Sequence, residues 1–333
     1  MRGPMPPLLS RRLFLMALAA LAHPRVARAQ PAGKTARVAV LASGTEGNFA
    51  PSVAVFREAL AKAGWVEGQN LTLDVRYAGD RYERLPTLAA ELLSPKPDVI
   101  VSLGTPATEA AKRATTTIPI VMESLSDAVA SGLVSNLARP GGNVTGASGF
   151  APELSGKRLE LIREIRPGAT RIAILTNLAN AATAPVVRTT ESAAQRMHMQ
   201  LTTVDVRRPE GLNAAFDTMT RGHTEAFVVA ADPLLFSHIP EIVGLAARHR
   251  LLAVYETRRF PEAGGLLSYG PLTHERFGQL AGYVDRILRG ARAGDLPVER
   301  PTTFELVLNA KTAKALGLEF PPSLRLRADH VIE

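Results

Sequence analysis

Ala36-Arg37-Val38-Ala39-Val40-Leu41-Ala42-Ser43 and Thr170-Arg171-Ile172-Ala173-Ile174-Leu175-Thr176-Asn177 carry one pattern twice: an arginine second, a continuous apolar run, then a polar end. A short unbroken apolar run suits a strand buried on both faces, as a parallel sheet requires. Each copy opens a series in which such runs alternate with helical spacing. In the first, Arg37–Leu41, Leu71–Tyr77, Asp98–Ser102 and Ile118–Met122 read as strands, and Phe49–Ala63, Arg81–Leu93 and Pro106–Ala114 as helices. In the second, Gln200–Val206, Ala226–Ala230 and Leu252–Tyr255 read as strands, and Ala181–Met197, Glu210–Thr220 and Leu234–Arg248 as helices. The spacing therefore predicts an α/β protein of two doubly wound parallel-sheet lobes.

Between the series lies Pro140–Gly149, with four glycines and a proline. It reads as a first crossing between lobes, with a strand at Val144–Ala147 inside it. Beyond the second series, Leu272–Arg289 is a long amphipathic helix, and Arg292–Pro301 is polar and proline-bearing. Phe304–Leu308 is strand-like, and Ala310–Leu316 is a short helix stopped by Gly317.

The first thirty residues read as an address. Ser10-Arg11-Arg12-Leu13-Phe14-Leu15-Met16 leads an apolar run through Ala22, and Ala27-Arg28-Ala29 is an A-x-A exit before Gln30. A charged start, a short apolar run and a small-residue exit make a signal peptide over 1–29, cleaved after Ala29. The run is about half the ~20 residues a spanning helix needs. Ser10–Leu15 resembles the twin-arginine consensus, with Met16 where a lysine is usual. The expected location is the periplasm, with no integral membrane segment in the mature chain.

Composition narrows the function. Of 333 residues, 46% are hydrophobic and 21% charged, as in a globular protein. There is no cysteine, which removes disulfides, thiolate metal sites and a cysteine nucleophile. The net charge of +8 owes five units to Arg2, Arg11, Arg12, Arg25 and Arg28, so the mature chain carries +3. No later segment concentrates Lys or Arg as a phosphate-binding stripe would, and no nucleic-acid partner is expected.

No G-x-G-x-x-G follows the first strand, and no G-x-x-x-x-G-K-[ST], H-E-x-x-H or G-x-S-x-G is present. His198, His223, His238, His249, His274 and His330 are scattered without metal spacing. The chain is expected not to be an enzyme and to bind no metal.

In open α/β sheets a ligand sits beyond the carboxyl ends of strands, near helix N-termini whose amides favour an anion. After the first strand come Ser43 and Thr45; after Asp98–Ser102 come Gly104 and Thr105, the latter also readable as a cap alone. After Ile118–Met122 come Glu123, Ser124 and Asp127. The second lobe offers Asn177, Asp232, Tyr255 and Glu256, with Tyr269 after a later apolar run. Asp127, Asp232 and Glu256 are the candidates to meet an ammonium group. Asp232, before Pro233, reads also as a helix cap; Asn177 reads also as a turn residue. The expected ligand site is thus Ser43, Thr45, Gly104, Thr105, Ser124, Asp127, Asn177, Asp232, Tyr255, Glu256 and Tyr269.

Several runs in order carry a resemblance: GWVEGQ at 64–69, DVIVSLGTPA at 98–107, GLVSNLARPGGNVTG at 132–146, ELSGKRLEL at 153–161, EAGGLLSYG at 262–270 and LPVERPTTFELVL at 296–308. The chain resembles the ABC-transporter substrate-binding proteins of the tryptophan/tyrosine-binding-protein-like group, of type I periplasmic-binding-protein fold. The resemblance implies two lobes joined by three hinge strands, 36–149 with about 257–298 and 150–256 with about 299–333. It implies one small solute in the cleft, an amino acid or related carboxylate, and no cofactor. A permease and an ATPase are the implied partners of a monomeric carrier. The group usually shows Gly-Asp-Pro where Ser126-Asp127-Ala128 stands here. A periplasmic sensor subunit for a receptor kinase or chemoreceptor would share this sequence pattern, and a secreted α/β enzyme is the remote rival. A sugar-sensing repressor of this fold would carry a helix-turn-helix where the leader stands.

Overall fold

The computed structural model describes residues 35–125, 127–149, 151–272 and 276–333. The expected leader and His274 lie outside the described residues. The first series forms β1 (Ala36–Ala42), α1 (Glu46–Lys62), β2 (Leu71–Tyr77), α2 (Leu85–Leu93), β3 (Val99–Leu103), α3 (Thr105–Ala114), β4 (Ile120–Glu123) and β5 (Val144–Ala147). Its strands are all parallel, in the order β2-β1-β3-β4-β5.

The chain then crosses. The second lobe builds α4 (Ala151–Ile165), β6 (Arg171–Thr176), α5 (Thr183–Arg196), β7 (Gln200–Asp205), α6 (Leu212–Arg221), β8 (Ala226–Val229), α7 (Pro233–Ser237), α8 (Ile239–Arg248), β9 (Leu252–Tyr255), α9 (Arg259–Glu262) and β10 (Leu267–Pro271). After Pro271 the chain returns to lay α10 (Arg276–Leu288) on the first sheet. It crosses a third time to add β11 (Phe304–Asn309), α11 (Ala310–Leu316), α12 (Pro322–Leu326) and β12 (His330–Ile332). The second sheet runs β12-β11-β10-β9-β8-β6-β7, so β7-β6-β8-β9-β10 repeats the first lobe's order. β11 is antiparallel to β10, which makes this sheet mixed at one side.

The central strands of both sheets are buried on both faces. Val38 and Val40 pack with Phe56 of α1 and with Leu280 and Val284 of α10, while Leu41 and Ile100 pack with Leu88 and Ala110 on the other face. In the second lobe Ile172 and Val228 meet Ile162 and Val186, and Leu175 and Val229 meet Phe216 and Leu245. Two-sided burial is why the strands read as unbroken apolar runs.

Two expectations change. The helix read over Leu234–Arg248 is two helices, α7 and α8, broken at His238 with φ −112°. Pro240 has no amide, and its ring would collide with the carbonyl of residue 236 in a continuous helix. The segment from 257 also does not go to the first lobe as a block. Phe260 of α9 stacks on Tyr255 at 4.3 Å, and β10 pairs with β9 on one edge and β11 on the other. Residues 257–271 therefore belong to the second lobe, because backbone pairing on both edges holds β10 there. Glu299 bridges to Ala147 and so stays with the first lobe.

Candidate functional site

A cavity of about 280 Å³ lies between the lobes, beyond the carboxyl ends of β4 and β9. Phe49, Val55, Leu125, Leu154, Phe236 and Phe277 give it apolar walls. Four buried charges interrupt them. Glu123, the last residue of β4, pairs with Arg276 Nη1 at 3.0 Å. Glu256, just after β9, pairs with Arg158 Nη1 at 2.7 Å. All four side chains are between 4% and 7% exposed, which places the pairs at the cavity wall rather than on the surface.

The two pairs are related by the fold. β4 and β9 hold the same place in their sheets. Each supplies a glutamate at its carboxyl end. Each arginine comes from the helix that has just crossed from the other lobe: α4, after β5, and α10, after β10. Both arginines are also tied to backbone: Arg158 Nε donates to the carbonyl of Tyr269 at 3.0 Å, and Arg276 Nη2 to that of Ser124 at 3.3 Å. With the ion pairs, these contacts use two of the five donors of each guanidinium. Burial pushes the Glu123 and Glu256 carboxyls up, and the facing arginines pull them back. Burial likewise lowers Arg158, with Glu256 opposing it. Buried ion pairs gain little for stability over well-packed apolar residues, so two of them around a cavity point to a binding role.

Of the eleven residues expected from the sequence, Glu256 lines this cavity. Ser124 stands beside it, its carbonyl held by Arg276 and its hydroxyl 3.0 Å from that of Thr105. Ser43 is buried and accepts from the amide of Ala107, so one α3 amide expected for an anion is already satisfied. Thr45 caps α1 through the amide of Asn48. Gly104 lies against Pro233 of the other lobe.

Asp127 accepts from the amides of Val129 and Ala130 and pairs with Arg300 at 2.8 Å. That is a turn cap held by an ion pair, away from the cavity, because a carboxylate two residues before free amides closes on them first. Tyr255 is fully buried among Phe227 and Phe260, a core residue; alternation along β9 turns it to the sheet face. Tyr269 contributes its carbonyl, while its ring lies beside Phe304.

Asn177 and Asp232 meet each other, not the cavity. Asp232 accepts from Asn180 Nδ2 at 2.9 Å, Asn177 Nδ2 at 3.3 Å, the amide of Leu234 at 3.0 Å, and Tyr82 Oη of the first lobe at 2.9 Å. Burial pushes its carboxyl up to about 6 against these four donors.

Arg158 and Arg276 were not among the expected residues, yet each had a signal. Arg158 falls in line with Leu154, Leu161 and Ile162, and Arg276 with Leu280, Tyr283 and Val284. A charge on the apolar stripe of an amphipathic helix marks a buried charge. Among the described residues no three His, Cys, Asp or Glu side chains gather to hold a metal ion, and no helix is long and apolar enough to cross a membrane.

The family model for ABC transporter substrate binding proteins matches residues 38–332. A tyrosine-binding protein of Clostridioides difficile (strain R20291) is 28% identical over 277 residues, 83% of this chain and 78% of that one. An ABC domain from Streptococcus pneumonia, solved in complex with L-Trp, superposes with a TM-score of 0.82 at 24% identity, covering 90% of this chain and 100% of that chain. The ligand-free, open structure of a substrate binding protein with adhesive properties from Clostridium difficile gives a TM-score of 0.61 at 25% identity, covering 89% and 99%.

Proposed function

This chain belongs to the family of ABC transporter substrate binding proteins, and from that premise we propose that it captures an aromatic amino acid between its lobes for a membrane permease driven by an ATPase. The paired charges at the cavity carry the reading. An amino acid is a zwitterion on an apolar stem. Its carboxylate meets the outer N–H groups of Arg158 or Arg276 in a charge-assisted fork, and its ammonium meets an oxygen of Glu123 or Glu256. Its ring lies against Phe49, Phe236 and Phe277, where edge and face contacts add to area burial. Among the buried charges of the wall two acids balance two bases, and the exposed Arg259 adds a further positive charge beside them, where a carboxylate is also favoured. The 28% identical relative is a tyrosine-binding protein, which supports the aromatic class.

Closure belongs to the same reading. The chain superposes better on the L-Trp complex than on the open, ligand-free protein at nearly equal identity, which supports taking its lobes as closed. Binding buries the guest from water, and the closed outline is what the permease reads. Export to the periplasm, by the leader over 1–29, puts the carrier where such a permease collects solute. No step of this function needs a reacting group, and the site offers a clamp rather than a nucleophile with a base.

The test is a thermal-shift screen of the mature protein against amino acids and small carboxylates. L-Tyrosine or L-tryptophan should give a saturable rise in Tm, since at a hundredfold excess over Kd the native state gains about 2.7 kcal/mol. A rise with simple carboxylates alone, and none with any amino acid, contradicts the zwitterion reading.

A further inference from the structure

Open doubly wound sheets bind their ligands at the switch point, where strand order reverses. Here that place lies between β1 and β3 in the first lobe, and between β6 and β8 in the second. Neither switch point is the solute cavity. Each is filled by the other lobe.

At the first lobe's switch point stand Gly44, past Ser43 at the end of β1, and Gly104, directly after β3. Helix α7 of the second lobe is seated on them. A methyl group at Gly104 would lie 2.8 Å from Pro233 Cγ and 2.9 Å from Ser43 Oγ, and φ +91° at Gly104 disfavours any side chain in the first place. A methyl group at Gly44 would lie 3.1 Å from Ser237 Oγ. Ser237 donates to Asp80 Oδ1 at 3.0 Å, and His238 Nε2 stands 3.4 Å from Asp80 Oδ2. Asp80 follows β2 and so belongs to the first lobe.

At the second lobe's switch point stand Asn177, Asn180 and Asp232, after β6 and β8. Tyr82 of the first lobe reaches into them. Its hydroxyl donates to both oxygens of Asp232, at 2.9 and 3.0 Å, and accepts from the amide of Leu234 at 3.2 Å. The exchange is reciprocal and largely polar: Asp80, Asp232 and Pro233 are buried, and Tyr82 and Ser237 are half-buried. None of Gly104, Pro233, Tyr82, Asn180 or Asp232 lines the solute cavity.

We infer that the reciprocal docking of α7 on Gly44 and Gly104, and of Tyr82 on Asp232, is a latch that sets the balance between open and closed lobes. It is made only when the lobes meet. It therefore tunes solute affinity through contacts that lie outside the cavity, although α7 also carries Phe236 of the cavity wall: the apparent Kd is the intrinsic value divided by the closed-competent fraction. Tyr82, Gly104 and Asp232 are positioning residues of the carrier. This deepens the function proposed above and rests on it only where solute affinity is the readout.

The test uses a dye pair on single cysteines placed in each lobe, which the cysteine-free chain allows. Single-molecule energy transfer then reports the closed fraction with and without L-tyrosine, beside calorimetric affinity. Tyr82→Phe removes one hydroxyl and keeps the ring. Gly104→Ala places a wedge under Pro233. Both should lower the closed fraction, and Tyr82→Phe should weaken L-tyrosine about tenfold, the size of a lost hydrogen bond to a charged group. Asp127→Ala, at the surface cap, should change neither. Unchanged closed fractions in both variants, with or without solute, overturn the latch. Should L-tyrosine fail to bind the parent protein, the aromatic reading falls, and the closed fraction of the solute-free variants still decides the latch. If they match the parent there, the latch falls too.

Discussion

The two lobes offer two kinds of strand end. At the ends of β1, β3, β6 and β8, polar groups are mostly satisfied by the protein itself, through Ser43 on Ala107, and through Tyr82, Asn177 and Asn180 on Asp232, with Thr176 Oγ1 at the end of β6 left without a partner. At the ends of β4 and β9, the walls are apolar and each carboxylate meets one guanidinium, with further ties to backbone: Arg158 to Tyr269, Arg276 to Ser124 and Glu256 to Ala231. Where protein groups saturate each other, they seal a seam. Where donors and acceptors are left over around a space, they recruit a guest. The switch point is the usual ligand site of such sheets, and in this two-lobed arrangement the neighbouring lobe closes it, while the cavity opens at the fourth strand of each lobe.

Removing one cavity charge should separate the regions most sharply. Arg158→Ala takes away the guanidinium and leaves Glu256 buried without it; L-tyrosine affinity measured by calorimetry should fall by about two orders of magnitude or more. The same change should cost about 3–5 kcal/mol in urea unfolding, as for other broken buried pairs. Arg158→Lys, which keeps charge and loses the planar fork, should recover stability more than affinity. Equal affinity in all three proteins would move the site elsewhere.

The seam should answer to pH. The Asp232 carboxyl, pushed up to about 6 from 3.8, holds its proton in the native state at pH values where the unfolded chain has lost it. Its contribution is then full below the unfolded value and fades as pH rises through about 6. His238, raised chiefly by its contact with Asp80, works in the same direction. Comparing Asp232→Asn with the parent in urea at about pH 5 and about pH 8 isolates the carboxyl. The parent should lose about 1.4 kcal/mol relative to the variant over that range. A difference that stays constant with pH would remove Asp232 from the titration.

Apolar and cap positions should give smaller effects. Phe277→Ala opens the cavity wall and should weaken L-tyrosine by about tenfold, in line with the value of an aromatic pair. Asp127→Ala should leave affinity alone and cost about 1 kcal/mol of stability through the lost turn amides. A large affinity loss from Asp127→Ala would restore it as a solute ligand.

Most of the fold was legible because period and burial agree: Val99–Leu103 and Leu252–Tyr255 are uninterrupted apolar runs since both faces of their sheets are covered. What sequence spacing missed was non-local. Pairing of β10 with β11 decides that 257–271 stays with the second lobe, and no local pattern encodes an antiparallel partner that comes later in the chain. For the site, looking past strand ends found Glu256 and the neighbourhood of Glu123, while the same rule drew in Ser43, Thr105, Asn177 and Asp232, whose partners come from other segments. Asp127 and Tyr255 show the limit of composition: a carboxylate beside free amides caps, and a tyrosine on an inward position packs. Arg158 and Arg276 were readable as charges in an apolar stripe, but the stripe does not say which carboxylate each will meet.

The measurement that bears most directly on the contrast between seam and cavity is a crystal structure of the protein grown with L-tyrosine. The expected map holds the amino acid between Glu123 and Glu256, its carboxylate within hydrogen-bond reach of Arg158 or Arg276, with Tyr82 still on Asp232. Solute density against Ser43 and Thr105, with the charged cavity vacant and α7 displaced from Gly104, would contradict it.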